Sequence, residues 1–171
     1  MKTLSRLLDS PSRVGFVLGL ACTGLVGASF FVQHVLDVEP CPLCIIQRFT
    51  YLALAVAFLT AARLPEHGRS QRGAFAVAAL LTLGGLSVAA YQTHLQIFPP
   101  PIAASCSASL SYMFDTLPVT DLLGQLFHAK GDCSDTSFKV LGLTLAQGSL
   151  AIFTSYTLLL GAMLVRRRAV A

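Results

Sequence analysis

Two cysteines three positions apart, Cys41-Pro42-Leu43-Cys44, and an arginine four residues after the second are the residues of this sequence best placed to do chemistry. Pro42 suits the first turn of a helix, where its missing N–H costs nothing, so Cys44 is expected near a helix N-terminus. The positive end of a helix favours a thiolate, the form of cysteine that attacks sulfur. Arg48, four residues on, falls on the same helical face within reach of that sulfur. The pair therefore suggests a stabilised thiolate beside a permanent cation. Three more cysteines stand at 22, 106 and 133, and two polar side chains, Gln92 and His94, stand shortly before Cys106.

The elements that must position these groups follow from composition. Of 171 residues 54% are hydrophobic and 12% charged, against about 25% charged in an ordinary soluble domain. A globule of about 150 residues hides only about 70% of its unfolded-chain surface from water, so much of this chain must face lipid. Length allows one domain, residues 1–171. Four apolar runs, about 14–32, 45–62, 73–91 and 145–165, are each near the roughly 20 helical residues that cross a bilayer core of about 30 Å. Arg48 is the one Lys, Arg, Asp or Glu within them. In lipid, backbone groups must pair within the segment, so these runs should be helices. The expected fold is an all-α membrane protein, a four-transmembrane-helix bundle with outer loops at about 33–44 and 92–144. The first run, at 19 residues, exceeds the 7–15 of a secretory signal core and is expected to be retained.

Charge sets the orientation. Lys2, Arg6, Arg13, Arg63, Arg69, Arg72 and Arg166 to Arg168 fall on one side of a four-helix path, and only Arg48, Lys130 and Lys139 toward the other. By the positive-inside rule both termini and the loop around Pro65 are cytoplasmic. Basic residues that mark a membrane edge are not gathered on one soluble face, which argues against nucleic acid as a partner. Cys41, Cys44, Cys106 and Cys133 then share the outer, oxidising side, where disulfides persist, and four thiols on one face point to two disulfides. Cys22, inside the first run, is expected to be a small apolar core residue. One Cys-x-x-Cys with two cysteines 27 apart lacks a second tight ligand pair, so no metal site is expected. A cation just inside a bilayer is a functional candidate by default; the alternative for Arg48 is that it snorkels to the headgroups.

In the second outer loop, Leu122, Leu123, Leu126 and Phe127 recur at helical spacing after Pro118, which predicts a short amphipathic helix lying on the outer membrane surface. His34 and His128 are expected at the membrane interface, and His67 in solvent.

Residues Glu39 to Arg48, the Leu95-Gln96 ahead of a proline run and Cys106, and Gly131-Asp132-Cys133 followed by Leu141-Gly142-Leu143 resemble the bacterial DsbB family of disulfide-forming membrane proteins over nearly the whole chain. The resemblance implies a quinone-dependent thiol oxidase of the inner membrane that reoxidises a periplasmic thioredoxin-like protein, DsbA, and passes two electrons to ubiquinone or menaquinone. It also implies that a Cys41–Cys44 disulfide faces quinone and a Cys106–Cys133 disulfide faces the protein partner, with Arg48 at the quinone. Where the family often carries a histidine three residues before the Leu-Gln pair, this chain has Gln92, and His94 directly precedes Leu95; both are candidates for quinone contact. The family's tryptophans are absent throughout. The alternative is a non-enzymatic four-helix membrane protein whose outer disulfides brace its loops. Structural disulfides hold potentials below about −300 mV, whereas a pair that oxidises others must be far more oxidising.

Overall fold

The computed structural model describes residues 10–36, 40–66, 68–98, 136, 139–140 and 142–170, the last seven of these as helical backbone. Four helices carry the fold: α1 (Pro11–Val35), α2 (Pro42–Arg63), α3 (Arg69–Ile97) and α4 (Leu145–Val170). All four are long and apolar enough to cross a membrane. Before α4 lies a small antiparallel hairpin, β1 (Lys139–Val140) and β2 (Leu143–Thr144), with Lys139 opposite Thr144 and Val140 opposite Leu143. The loop expected over 92–144 thus holds a hairpin that its composition does not announce. Gly142 sits in its turn at φ 83°, a left-handed conformation that glycine adopts without Cβ strain. The expected surface helix near 118–127, together with Cys106 and Cys133, lies outside the described residues.

Each helix runs past the C-terminal end of its apolar run, and α1, α2 and α3 also begin before theirs. Pro11 and Pro42 occupy the first turns of α1 and α2, behind extended residues Ser10 and Cys41. In α4 the start is a reciprocal box: Thr144 Oγ1 accepts from Gln147 N (3.2 Å) while Gln147 Oε1 accepts from Thr144 N (3.1 Å). The Thr144 hydroxyl also donates to Gln96 Oε1 (2.7 Å), so the start of α4 is fastened to the end of α3. At its far end α3 runs on to Ile97 and carries Gln92, His94 and Gln96 inside the helix instead of in the loop expected from 92 onward.

Helices adjacent in sequence pack together, α1 on α2, α2 on α3 and α3 on α4; short connections make α1, α2 and α3 antiparallel neighbours, and the Thr144–Gln96 bond sets the start of α4 beside the end of α3. The bundle centre is aromatic. Tyr51 stacks on Phe153 at 4.6 Å between centroids, and Phe58 meets Tyr156 edge-on at 6.0 Å. Cys22 is fully buried there, and its thiol donates to Tyr156 Oη at 3.8 Å, which joins α1 to α4. Gly15 and Gly19 let α1 approach α2 closely: a Cβ at Gly15 would stand 2.8 Å from the Phe58 carbonyl oxygen, and one at Gly19 would stand 2.7 Å from the Leu59 side chain. Outward, Leu20, Phe31, Phe49, Val56, Leu80 and Leu158 are exposed, the surface a lipid solvent requires.

This path puts the C-terminal ends of α1 and α3 and the starts of α2 and α4 at one end of the bundle. Arg13, Arg63, Arg69 and Arg72 gather at the other. Gln71, wholly buried at that basic end, donates to Ser12 Oγ (3.2 Å) and to the Ala61 carbonyl (3.1 Å), and so ties α1, α2 and α3 together.

Candidate functional site

The two cysteines open α2. Cys41 is its N-cap, with extended backbone, and its sulfur accepts the Cys44 N–H at 3.3 Å. A thiol therefore takes the place that Ser or Asp usually fills at a helix start. Cys44 follows in the first turn, half-buried, with its sulfur in hydrogen-bonding contact with that of Cys41. The pair stands as the dithiol.

From α3, Gln92 reaches across to both sulfurs. Its amide nitrogen donates to Cys41 Sγ and to Cys44 Sγ, each at 3.2 Å; an amide NH2 has two protons, one for each acceptor. The amide is held in that orientation because its oxygen accepts from Gln47 Nε2 at 2.8 Å. Gln92 is 3% and Gln47 5% exposed. Unsatisfied amides at that depth would each cost about 1–3 kcal/mol, so the chain of contacts closes on itself. His94, two residues on, faces away and is exposed, its ring 5.1 Å from that of Phe98. The two side chains that sequence offered together for quinone contact are thus separated: the structure brings Gln92 to the sulfurs and leaves His94 off them.

Arg48 lies one turn deeper along α2, within electrostatic reach of Cys44 and Cys41. Its guanidinium turns toward α1, where it donates to Gln33 Oε1 and to the Ser29 carbonyl (3.1 Å) and lies 5.3 Å from the centroid of Phe30. The cation is anchored to α1 by these contacts. Gln33, Ser29 and Gln47 carry little signal in the sequence; the clue was an amide three residues from Cys44 in an apolar run. Among the described residues no cluster of His, Cys, Asp and Glu could hold a metal. His34, at the end of α1, is exposed, its Nδ1 3.0 Å from the Phe30 carbonyl oxygen.

The sequence profile of the family described as Disulfide bond formation protein DsbB matches residues 11–163. The chain belongs to the DsbB family. Disulfide bond formation protein B of Aromatoleum aromaticum is 39% identical over 156 residues, which cover 88% of this chain and 92% of that protein. The protein of the same name from Chromohalobacter salexigens is 36% identical, over 95% of this chain and 98% of its own. Disulfide bond formation protein B 1 of Pseudomonas aeruginosa is 32% identical, over 87% and 91%. Membership in the DsbB family places this chain among multi-pass membrane oxidoreductases of disulfide bond formation, with a thiol protein as partner, and sets aside outer disulfides that only brace loops.

The Gln92 contact gives a measurable expectation. A hydrogen bond to a charged group contributes about 1.5–3 kcal/mol, so Gln92→Leu should slow disulfide-forming turnover roughly 10- to 100-fold. Gln47→Leu, which only frees the Gln92 amide to rotate, should cost about fivefold, the worth of one ordinary hydrogen bond. Alkylation of Cys44 by iodoacetamide in the reduced protein should slow in the same order. Wild-type alkylation and turnover in Gln92→Leu would make the amide a bystander.

Proposed function

We propose that this DsbB-family protein reoxidises a periplasmic thioredoxin-fold dithiol oxidase of the DsbA kind and passes the two electrons to a membrane quinone, ubiquinone or menaquinone. The observation that carries this reading is the Cys41 and Cys44 dithiol at the membrane end of α2, clasped by Gln92 with Arg48 one turn deeper. The surroundings fit a quinone: two of the five guanidinium N–H groups are engaged among the described residues, and exposed Phe30 and Phe49 offer apolar surface for a ring and prenyl tail. When bound, a quinone supplies a two-electron, two-proton acceptor whose oxygens gain negative charge on reduction.

The protein's own sulfurs do the exchange. The partner's thiolate attacks Cys106 and forms a mixed disulfide as the Cys106–Cys133 bond breaks. The partner's second thiol then closes its own disulfide and releases Cys106. Cys133 attacks Cys41, the outermost sulfur of α2, and the Cys41–Cys44 bond breaks with Cys44 leaving as thiolate; Cys106 then attacks Cys133, re-forms the Cys106–Cys133 disulfide and frees Cys41. The net result is an oxidised partner and a reduced Cys41 and Cys44 pair, whose two electrons leave to the acceptor. Each attack requires an in-line sulfur.

Anaerobic addition of a soluble short-chain quinone to the purified, fully reduced protein tests the proposal. Two thiols should disappear for each quinone reduced. Thiols that persist, with no quinone reduced, would refute it.

The same proposal puts the protein in the bacterial inner membrane with both termini cytoplasmic and the four working cysteines periplasmic. A membrane-impermeant thiol reagent applied to reduced spheroplasts should label Cys106 and Cys133 and spare Cys22. Labelling of the loop cysteines only after the membrane is opened would reverse the orientation.

A further inference from the structure

At the basic end of the bundle, opposite the dithiol, a groove of about 520 Å³ runs between the start of α1 and the end of α2. Ser12, Arg13 and Arg63 make its polar end, and Phe16, Val17 and Leu59 its apolar wall. Phe16 and Val17 are 53% and 50% exposed on a membrane-spanning helix, so what covers them is an acyl chain. Among the described residues no Asp or Glu lines the groove, and Glu66, at the same end, accepts a hydrogen bond from Ser10 Oγ at 2.5 Å.

The helix dipole would account for Arg63, in the last turn of α2, but opposes Arg13 in the first turn of α1. Topology accounts for the sign of these residues, not for two helices bringing cations to one groove with the Ser12 hydroxyl beside Arg13 and an apolar wall beneath. Basic pockets between transmembrane helices on the cytoplasmic side take anionic headgroups. We propose that this groove binds one anionic glycerophospholipid, with its phosphate at Arg13, Arg63 and Ser12 and an acyl chain along Phe16, Val17 and Leu59. Arg13 takes part in a further interaction, so Arg63 is the cation that isolates the site.

The full chain in neutral detergent, titrated with phosphatidylglycerol or phosphatidylcholine and read by native mass spectrometry, tests this. One phosphatidylglycerol should be retained at least about fivefold more tightly than phosphatidylcholine, the worth of one basic residue near a membrane surface. Arg63→Gln should weaken that retention about fivefold, and Arg63→Lys should restore it. Val17→Trp, which fills the groove from an exposed position, should abolish it. Arg72→Gln, at the same membrane edge but outside the groove, should leave it unchanged. Equal retention of the two lipids, an Arg72→Gln loss as large as that of Arg63→Gln, retention intact in Val17→Trp, or displacement of the lipid by inorganic phosphate would each overturn the site.

Discussion

Replacing Cys44 by alanine should stop quinone-coupled turnover, a loss on the order of a thousandfold or more, the scale on which removal of an attacking nucleophile acts. Cys44 is the sulfur inside the helix, in the first turn of α2, with a Gln92 proton on it and Arg48 one turn further on. Cys41 stands outside as the cap. On the proposed path, loss of the inner sulfur leaves no Cys41–Cys44 bond for Cys133 to attack, yet it leaves the proposed Cys106–Cys133 bond available to the partner. The variant should therefore oxidise one reduced partner per chain and then stall, with or without quinone. Counting oxidised partner per chain in a quenched time course separates the outcomes: a burst of one followed by arrest is expected, and sustained turnover would remove Cys44 from the path.

The chemistry was legible where it is local. Cys-x-x-Cys, the proline between the cysteines and the arginine four residues later lie within eight positions, and helix periodicity alone relates them. Contacts between helices were not legible in the same way. Gln47 and Gln92 are 45 residues apart and meet only because α2 and α3 pack antiparallel; along the sequence each is an amide in an apolar run, with no period to betray it. For the same reason Gln92 gave no hint of its two sulfur acceptors, and Arg48 gave none of Gln33 and Ser29, which α1 brings to it.

The four spans themselves were plain from apolar length, but their ends were not. Counting apolar residues stops at the first polar group, whereas α3 runs on through Gln92, His94 and Gln96 to Ile97, with Gln92 paired to Gln47 and Gln96 to Thr144. Strands of two residues around Gly142 are too short to leave an alternating pattern.

Arg48 carries the other large expected effect. Its guanidinium is planar, and the two terminal nitrogens are divided between the Gln33 side chain and the Ser29 carbonyl while the carbon lies 5.3 Å from the Phe30 centroid. That triple hold fixes the cation in the plane of the membrane end of α2 and leaves further N–H groups for an acceptor oxygen. A cation in a low-dielectric site stabilises developing negative charge more than it would in water, and the quinone oxygens are where negative charge grows. A lysine retains the charge but is a point donor that cannot reproduce the fork, so Arg48→Lys should raise the apparent quinone KM with a smaller change in kcat. Arg48→Ala or Arg48→Met should lose roughly 10- to 100-fold in kcat/KM, the worth of about 1.5–3 kcal/mol for a hydrogen bond to a charged group. The first reaction of the Cys106–Cys133 bond with reduced partner should proceed at the wild-type rate in every one of these variants, because it precedes any need for the cation. Steady-state quinone reduction by Arg48→Ala at wild-type kcat and KM would return Arg48 to a structural tie between α1 and α2.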